Sequence, residues 1–409
     1  MLTSLVAVAG LIAGLLSAGV PGATVASIRS AEQPQLSVVG AAAAWGVTRG
    51  SGVTVAVLDT GVDASVPDLT GSVTVGPDEV PGVDPAGYQP PYQHGTYIAS
   101  LIAGHGSGPG RGSGIIGIAP AARILSVRVI LDDSEPGFGT FANQPANDAV
   151  GNGIRYAVQH GARVINMSLG SISPTENLRA ALAYAAAHGV VMVAAAGNDG
   201  AAAPGYTPFS YPAAFPGVIA VAAVGLDGDR AAFSDENASV VLSAPGVNVL
   251  GAGPGGSYVE ADGTSPASAE VAGVAALIRS RYPRLTPFQV EQAMVSSTTH
   301  RPRGGYRPGT GFGEVNAPAA LAAAGRLATA AAEPGLAAGA RFAHPGPIQV
   351  VHRAAVHISG YIAAAAVLVL AFLTLIVVLA VRIRRLWRPR SHLADTTQPS
   401  LSEVDIVSL

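Results

Sequence analysis

The sequence predicts an α/β fold: a mostly parallel, twisted sheet flanked by helices. Short β-rich apolar runs at residues 53–58, 123–130, 163–167, 190–194 and 218–224 are strand-length and bounded by polar or glycine turns. Between them, residues 146–159 and 174–187 carry helical periodicity. Strands alternating with helices at this spacing form βαβ units, and a parallel sheet made from them is covered on both faces. In such sheets the chemistry collects on loops at the carboxyl ends of the strands.

The helix at 174–187 opens with Ser173-Pro174-Thr175-Glu176 and closes at His188-Gly189. His160-Gly161 closes the helix before it in the same way, so both histidines read as helix caps. Two more helices are expected at 266–281 and at about 286–297, the latter begun by Thr286-Pro287. The glycine-rich run 104–117 contains Gly112-x-Gly114-x-x-Gly117. It follows a helix and leads into a strand, the reverse of the order a dinucleotide loop needs, so a flexible surface loop is expected.

Both ends lie outside this pattern. Residues 2–20 are apolar and rich in Ala, Gly and Leu, with small residues after them, so residues 1–27 read as a secretory signal peptide. No formal charge lies between Arg353 and Arg382, and Arg382, Arg384, Arg385, Arg388 and Arg390 follow at once. Residues 359–381 are therefore expected to cross a membrane, with the tail 382–409 cytoplasmic and the domain outside. The folded domain is set at 28–325, and the Ala/Gly/Pro-rich stretch 326–358 reads as a linker. The chain has no cysteine, so its core alone must hold the exported domain together. All 23 basic residues are arginine, the net charge is −3, and no basic tract outside the juxtamembrane cluster points to nucleic acid.

Four segments carry a constellation suited to acyl transfer, which needs a nucleophile, a base, a group to orient the base, and donors for an oxyanion. Val57-Leu58-Asp59-Thr60-Gly61 ends a strand in a carboxylate, and His94-Gly95-Thr96 opens a helix with an imidazole. Ala195-Ala196-Gly197-Asn198 ends another strand in a carboxamide, and Gly263-Thr264-Ser265 sets a hydroxyl at a helix N-terminus. Asp-Thr-Gly also marks aspartic proteases, but those need a second such motif, and the sequence has none.

In this order the four segments resemble the subtilisin, or subtilase, family of serine proteases. Ile118-Ala119-Pro120, Asn166-Met167-Ser168-Leu169-Gly170, Tyr211-Pro212-Ala213 and Gly311-Phe312-Gly313 add to the likeness, which covers roughly residues 45–320. The resemblance implies that Asp59 orients His94, that His94 is the general base, that Ser265 attacks, and that Asn198 with the Ser265 N–H forms the oxyanion hole. It implies a substrate pocket walled by Ser168, Leu169 and Gly170 and by Ala195, Ala196 and Gly197, with Ser210 near its floor. Gly137 and Gly139 would edge an extended peptide or protein substrate. No cofactor and no metal are expected; Arg111 stands where many members place a calcium-binding Asn. Pro266 replaces the usual residue after the nucleophile.

The order of leader, one domain, linker, span and short tail resembles the mycosins, membrane-bound subtilases of type VII secretion systems. A single-pass protein of the cell membrane, working with such a secretion complex, is the function this likeness implies. A second reading is a catalytically idle subtilase serving as a structural part of that complex.

Overall fold

The computed structural model describes residues 25–142, 148–202, 207–330 and 358–386. The predicted leader lies outside these apart from its last residues. The chain divides into two units, one ending at Gly335 and one beginning at Leu336.

The first unit opens with α1 (Val25–Val39) and the short α2 (Ala41–Ala44). Then come β1 (Thr54–Asp59), β2 (Val73–Asp78), α3 (Gln93–Ala103), β3 (His105–Ser107), β4 (Ser113–Ile116) and β5 (Arg123–Arg128). The middle of the unit holds α4 (Phe138–Ala142), α5 (Ala149–Gln159), β6 (Val164–Met167), α6 (Glu176–Ala187), β7 (Val191–Ala195) and β8 (Val218–Val224). It closes with β9 (Val240–Pro245), β10 (Val249–Ala252), β11 (Tyr258–Ala261), α7 (Thr264–Arg281), α8 (Pro287–Val295) and α9 (Ala317–Ala330).

Seven strands form one sheet in the order β2-β5-β1-β6-β7-β8-β9, and each neighbouring pair runs parallel. All five strands expected from the apolar runs belong to it. Alternation along each strand feeds two cores. Val55, Val57, Val191 and Val193 join the core with α3 and α7, while Ala56, Leu58, Met192 and Ala194 join the core with α5 and α6. Because β1 is an interior strand, third of the seven, Asp59 at its carboxyl end is flanked by the ends of β5 and β6.

α7 is buried on every side from Thr264 to Arg279. Only a helix of small residues packs so deeply, and Ala, Gly, Ser and Val supply this one. The two cap expectations hold: His160 and His188 end α5 and α6, each ring Nδ1 lying 2.8 Å from the carbonyl four residues back. Thr286 and Gln289 form a capping box on α8.

Three expectations are corrected. The glycine-rich run is no loose loop: β3 and β4 pair antiparallel within it, and α1 clamps the hairpin. Arg29 donates to the Gly114 and Ser113 carbonyls, and Glu32 accepts the Ile116 N–H through both carboxylate oxygens at 3.0 and 3.1 Å. Residues 137–139 make no extended edge, because the turn after Asp132 winds directly into α4, with the Phe141 N–H donating to the Gly137 carbonyl at 2.9 Å. The first residues of the predicted linker are helical: α9, which buries Ala320, Leu321, Ala323 and Ala324, runs on to Ala330 past the predicted boundary at 325. Alanine periodicity is faint on a hydropathy scale, yet alanine packs well against α2 and α8. The rest of the predicted linker, 331–357, lies outside the described residues.

In the second unit, α10 (Ile358–Leu386) runs for 29 residues. Over the described side chains no helix is long and apolar enough to cross a membrane. Those of α10 are residues 367–382, so the span predicted at 359–381 lies partly outside the described residues.

Burial raises the Glu32 carboxyl to about 8, against the pull of the Ile116 N–H and Arg29. An acid with a raised folded pKa binds more protons folded than unfolded, so its contribution falls as pH rises from about 4.5 towards 8. Glu32→Gln mimics the protonated form. It should melt like wild type at pH 5 and a few °C higher at pH 8, as thermal unfolding of the two proteins at both pH values would measure.

Candidate active site

The turn after β1 and the first turn of α3 touch backbone to backbone. A Cβ on Gly95 would collide with the Gly61 carbonyl, and Gly61 itself has a φ of +97° with the Tyr92 ring against it. Glycine at both positions permits the approach. Two bonds then lock the motifs together: Gly95 N–H donates to Thr60 Oγ1 at 3.0 Å, and Asp63 N–H to Thr96 Oγ1 at 2.8 Å.

This contact brings His94 Nδ1 to 2.7 Å from Asp59 Oδ1, with Asp59 wholly buried. Nδ1–H donates to the carboxylate, so the tautomer is set and Nε2 keeps its lone pair. Asp59 Oδ1 also accepts the Thr60 N–H at 2.8 Å, while Oδ2 has no hydrogen-bond partner among the described residues. Burial works against a charged imidazole, but the carboxylates of Asp59, Asp132 and Asp133 outweigh it and raise the His94 pKa above its usual value.

Asp132, which the sequence reading missed, caps α3. Its carboxylate accepts the N–H groups of Gln93 at 3.0 Å and His94 at 3.2 Å. Behind it stands an ion cluster built around the buried Arg128 and Glu135. Glu135 Oε1 takes the Asp132 N–H at 2.7 Å, and Arg128 binds Asp78, Asp84 and Glu135 at 2.6 to 2.8 Å. The acidic run Asp132-Asp133-Ser134-Glu135 directly after a strand was the available signal.

Ser265 is the second residue of α7, and its backbone is helical although Pro266 follows. Its hydroxyl donates to the Ser168 carbonyl at 3.4 Å, and among the described residues no hydrogen bond joins it to His94. The Ser168 hydroxyl lies 3.1 Å from the Ser265 carbonyl and 2.9 Å from Ser268 Oγ, and it receives Asn166 Nδ2 at 2.9 Å. This network ties the end of β6 to the first turn of α7. Asn198 follows β7, and its Oδ1 accepts both the N–H and the hydroxyl of Thr264 at 2.9 Å. With its oxygen so engaged, the carboxamide is held beside Ser265.

A small pocket of about 40 Å³ opens beside Ser265. Ser168, Leu169 and Gly170 form one wall, Ala195, Gly197 and Asn198 another, and Ser210 also lines it. A Cβ on Gly170 would run into Ser210 Oγ, so glycine there keeps room for that hydroxyl. Three of the residues predicted from sequence around the substrate site do not fit it as expected. Ala196 turns away to pack with Ala222 and Val240, as strand alternation requires, and Gly137 and Gly139 belong to the α4 turn instead. Asp199 and Asp235 line the pocket unpredicted. Asp235 lies on an irregular turn after β8, where no strand or helix period marks it.

The subtilase family profile matches residues 50–313. The chain belongs to the subtilase family. Among subtilases, subtilisin amylosacchariticus of Bacillus subtilis subsp. amylosacchariticus is 37% identical over 251 residues, which cover 61% of this chain and 61% of that relative. This chain thus spans less than two thirds of that relative's length. Subtilisin BL of Lederbergia lenta is 36% identical over 288 residues, 68% of this chain and 97% of its own. The crystal structure of fervidolysin from Fervidobacterium pennivorans, a keratinolytic enzyme related to subtilisin, superposes with a TM-score of 0.63 at 30% identity, covering 76% of this chain and 51% of that one. The fold expected from the alternating strands is the subtilisin-like α/β fold.

A raised His94 pKa held up by Asp59 is measurable without any substrate. An NMR titration of the His94 ring should give a midpoint above 6.5, and Asp59→Asn should lower it, since burial then acts with less opposition. A midpoint unmoved by Asp59→Asn would contradict the assignment.

Proposed function

We propose that this subtilase is a serine endopeptidase held at the outer face of the cell membrane, acting beside a type VII secretion complex in the manner of the mycosins. The observation that carries the chemistry is the buried 2.7 Å Asp59–His94 pair, on the same sheet edge as the Ser265 and Asn198 pocket.

As a peptide settles across the pocket, the Ser265 hydroxyl turns from the Ser168 carbonyl towards His94 Nε2, a bond that tightens only on substrate binding. His94 takes the proton while Ser265 Oγ attacks the scissile carbonyl. The Asp59 carboxylate orients and stabilises the imidazolium. The oxyanion meets the Asn198 NH₂ and the Ser265 N–H at the positive end of α7. His94 then returns the proton to the leaving amine, and water repeats the sequence on the acyl-enzyme. Pro266 takes away no donor that this scheme uses.

For the membrane, the support is α10. Its 29 residues would reach about 43 Å, and its described face exposes Leu368, Leu370, Phe372 and Leu373 by more than half. Among its described residues, 367–381 form no polar side, which suits lipid, and arginines from Arg382 onward suit the cytoplasmic surface.

A fluorophosphonate probe should label wild type and not Ser265→Ala. Asp59→Ala, His94→Ala and Ser265→Ala should each remove most peptide hydrolysis, and pairs should cost little more than singles because the three act as one unit. Asn198→Ala should lose on the order of 10²–10³ in kcat with KM nearly unchanged. Absence of labelling and turnover in a folded protein would favour the idle-scaffold reading instead. For topology, protease added to intact cells should reach the domain, while a tag after Ser391 stays protected. The opposite pattern would overturn the anchoring.

A further inference from the structure

The pocket beside Ser265 has an electrostatic character that the triad does not explain. Among the described residues its lining includes two carboxylates, Asp199 and Asp235, and no Arg or His. Asp235 is 2% exposed. Its N–H donates to the Gly197 carbonyl at 3.0 Å, and its Oδ1 accepts the Asp199 N–H at 2.7 Å. Its Oδ2 has no hydrogen bond among the described residues and rests against Gly197, where a Cβ would collide with it. The carboxylate therefore occupies the room that a side chain at 197 would fill, on the wall of the pocket.

We propose that Asp235, with Asp199 beside it, makes this pocket select arginine or lysine as the residue before the scissile bond. The proposal rests on the peptidase reading given above and names its substrate class. An ionised, buried carboxylate with an unmet oxygen gains most from a cation that brings its own donors. Leu169, Ile172 and Phe209 line the same pocket and suit the methylene stem of such a side chain.

The groups facing Asp235 agree with this reading. Burial pushes its carboxyl up to about 7, and repulsion from Asp199 adds to that, while the Asp199 N–H and the Arg230 charge pull it down. Arg230 is the protein's own cation here, but Glu236 holds it at 3.5 Å and it donates to the Ala231 and Ser234 carbonyls. It is not part of the pocket lining, so it leaves the cation position in the pocket to the substrate. A raised acid ionises late, so selection strengthens as pH rises through about 7.

The test compares amide substrates that differ only in arginine or its neutral isostere citrulline at that position, using the full-length chain in detergent. At pH 8 the kcat/KM ratio should favour arginine by about tenfold or more, as a charged hydrogen bond allows. The ratio should shrink towards pH 6, because kcat/KM reports the free enzyme's ionisation; the His94 titration cancels in it. Asp235→Asn should bring the ratio close to one. Equal turnover of both substrates by wild type at pH 8, or an unchanged ratio in Asp235→Asn, would overturn the proposal. Should Asp235→Asn fail to fold, the wild-type pH series decides, a flat ratio counting against the proposal. Should neither substrate be turned over, labelled arginine and citrulline peptides are titrated onto Ser265→Ala. Tighter arginine binding by about tenfold then upholds the pocket while the peptidase reading falls, and equal affinity overturns the pocket as well.

Discussion

The site depends on keeping a charged carboxylate out of water. Asp59 has no exposed surface, and an unpaired buried charge would be too costly to persist. Its pairing with His94 requires the backbone after β1 to press against the start of α3. Gly61 and Gly95 are the residues that make this contact sterically possible. Every other feature of the site is arranged around that junction. The Thr60 and Thr96 hydroxyls stitch it, and Asp132 supplies acceptors to the helix end on which His94 sits. Arg128 and its three carboxylates fix the loop that carries Asp132. Such a cluster adds little net stability, since its desolvation offsets much of its attraction, but it restricts the loop to one geometry.

The second constraint is the depth of α7. A helix buried along sixteen residues cannot shift without disturbing both the sheet and α3, so Ser265 is positioned by the core itself. Pro266 is compatible with this because the helix begins at Thr264, earlier than its own position suggested. The proline is then third in the helix, where an N–H has no intrahelical partner to lose. Its bias against a helical residue before it is overcome by the bonds that hold Thr264 and Ser265, from Asn198 on one side and Ser168 on the other.

What was legible in the sequence follows from how strongly each residue's role is local. The five strands lie in the sheet interior and are apolar on both faces, so composition alone marks them, as it marks Val218–Val224 without a missing residue. Asp59, His94, Asn198 and Ser265 stand at element ends, where a glycine or a cap punctuates the chain. The hairpin β3–β4 was hidden because its glycines look like a loop until α1, far away in sequence, supplies Arg29 and Glu32. α9 was hidden because alanine buries small area and gives a weak pattern. Ala196 was placed with its neighbours by motif, whereas pleat alternation turns it to the opposite side. Asp235 had no pattern at all, because only the folding of one loop onto Gly197 gives it a place.

Its significance is visible when the buried acids are set side by side. Glu270 lies in the middle of α7, and burial raises its carboxyl well above the usual carboxylate range, with Glu314 and Glu32 adding to the effect. Asp59 has His94 and the Thr60 N–H at hydrogen-bond distance. Asp132 has two helix N–H groups and lies close to His94. Asp235 has a single amide, a neighbouring like charge, and a cation already engaged by Glu236. Its compensation is thus the least complete of the three aspartates, and it alone of them lines a pocket open to a substrate side chain. Asp59 and Asp132 meet their partners within the fold, whereas Asp235 faces the space a substrate side chain would enter.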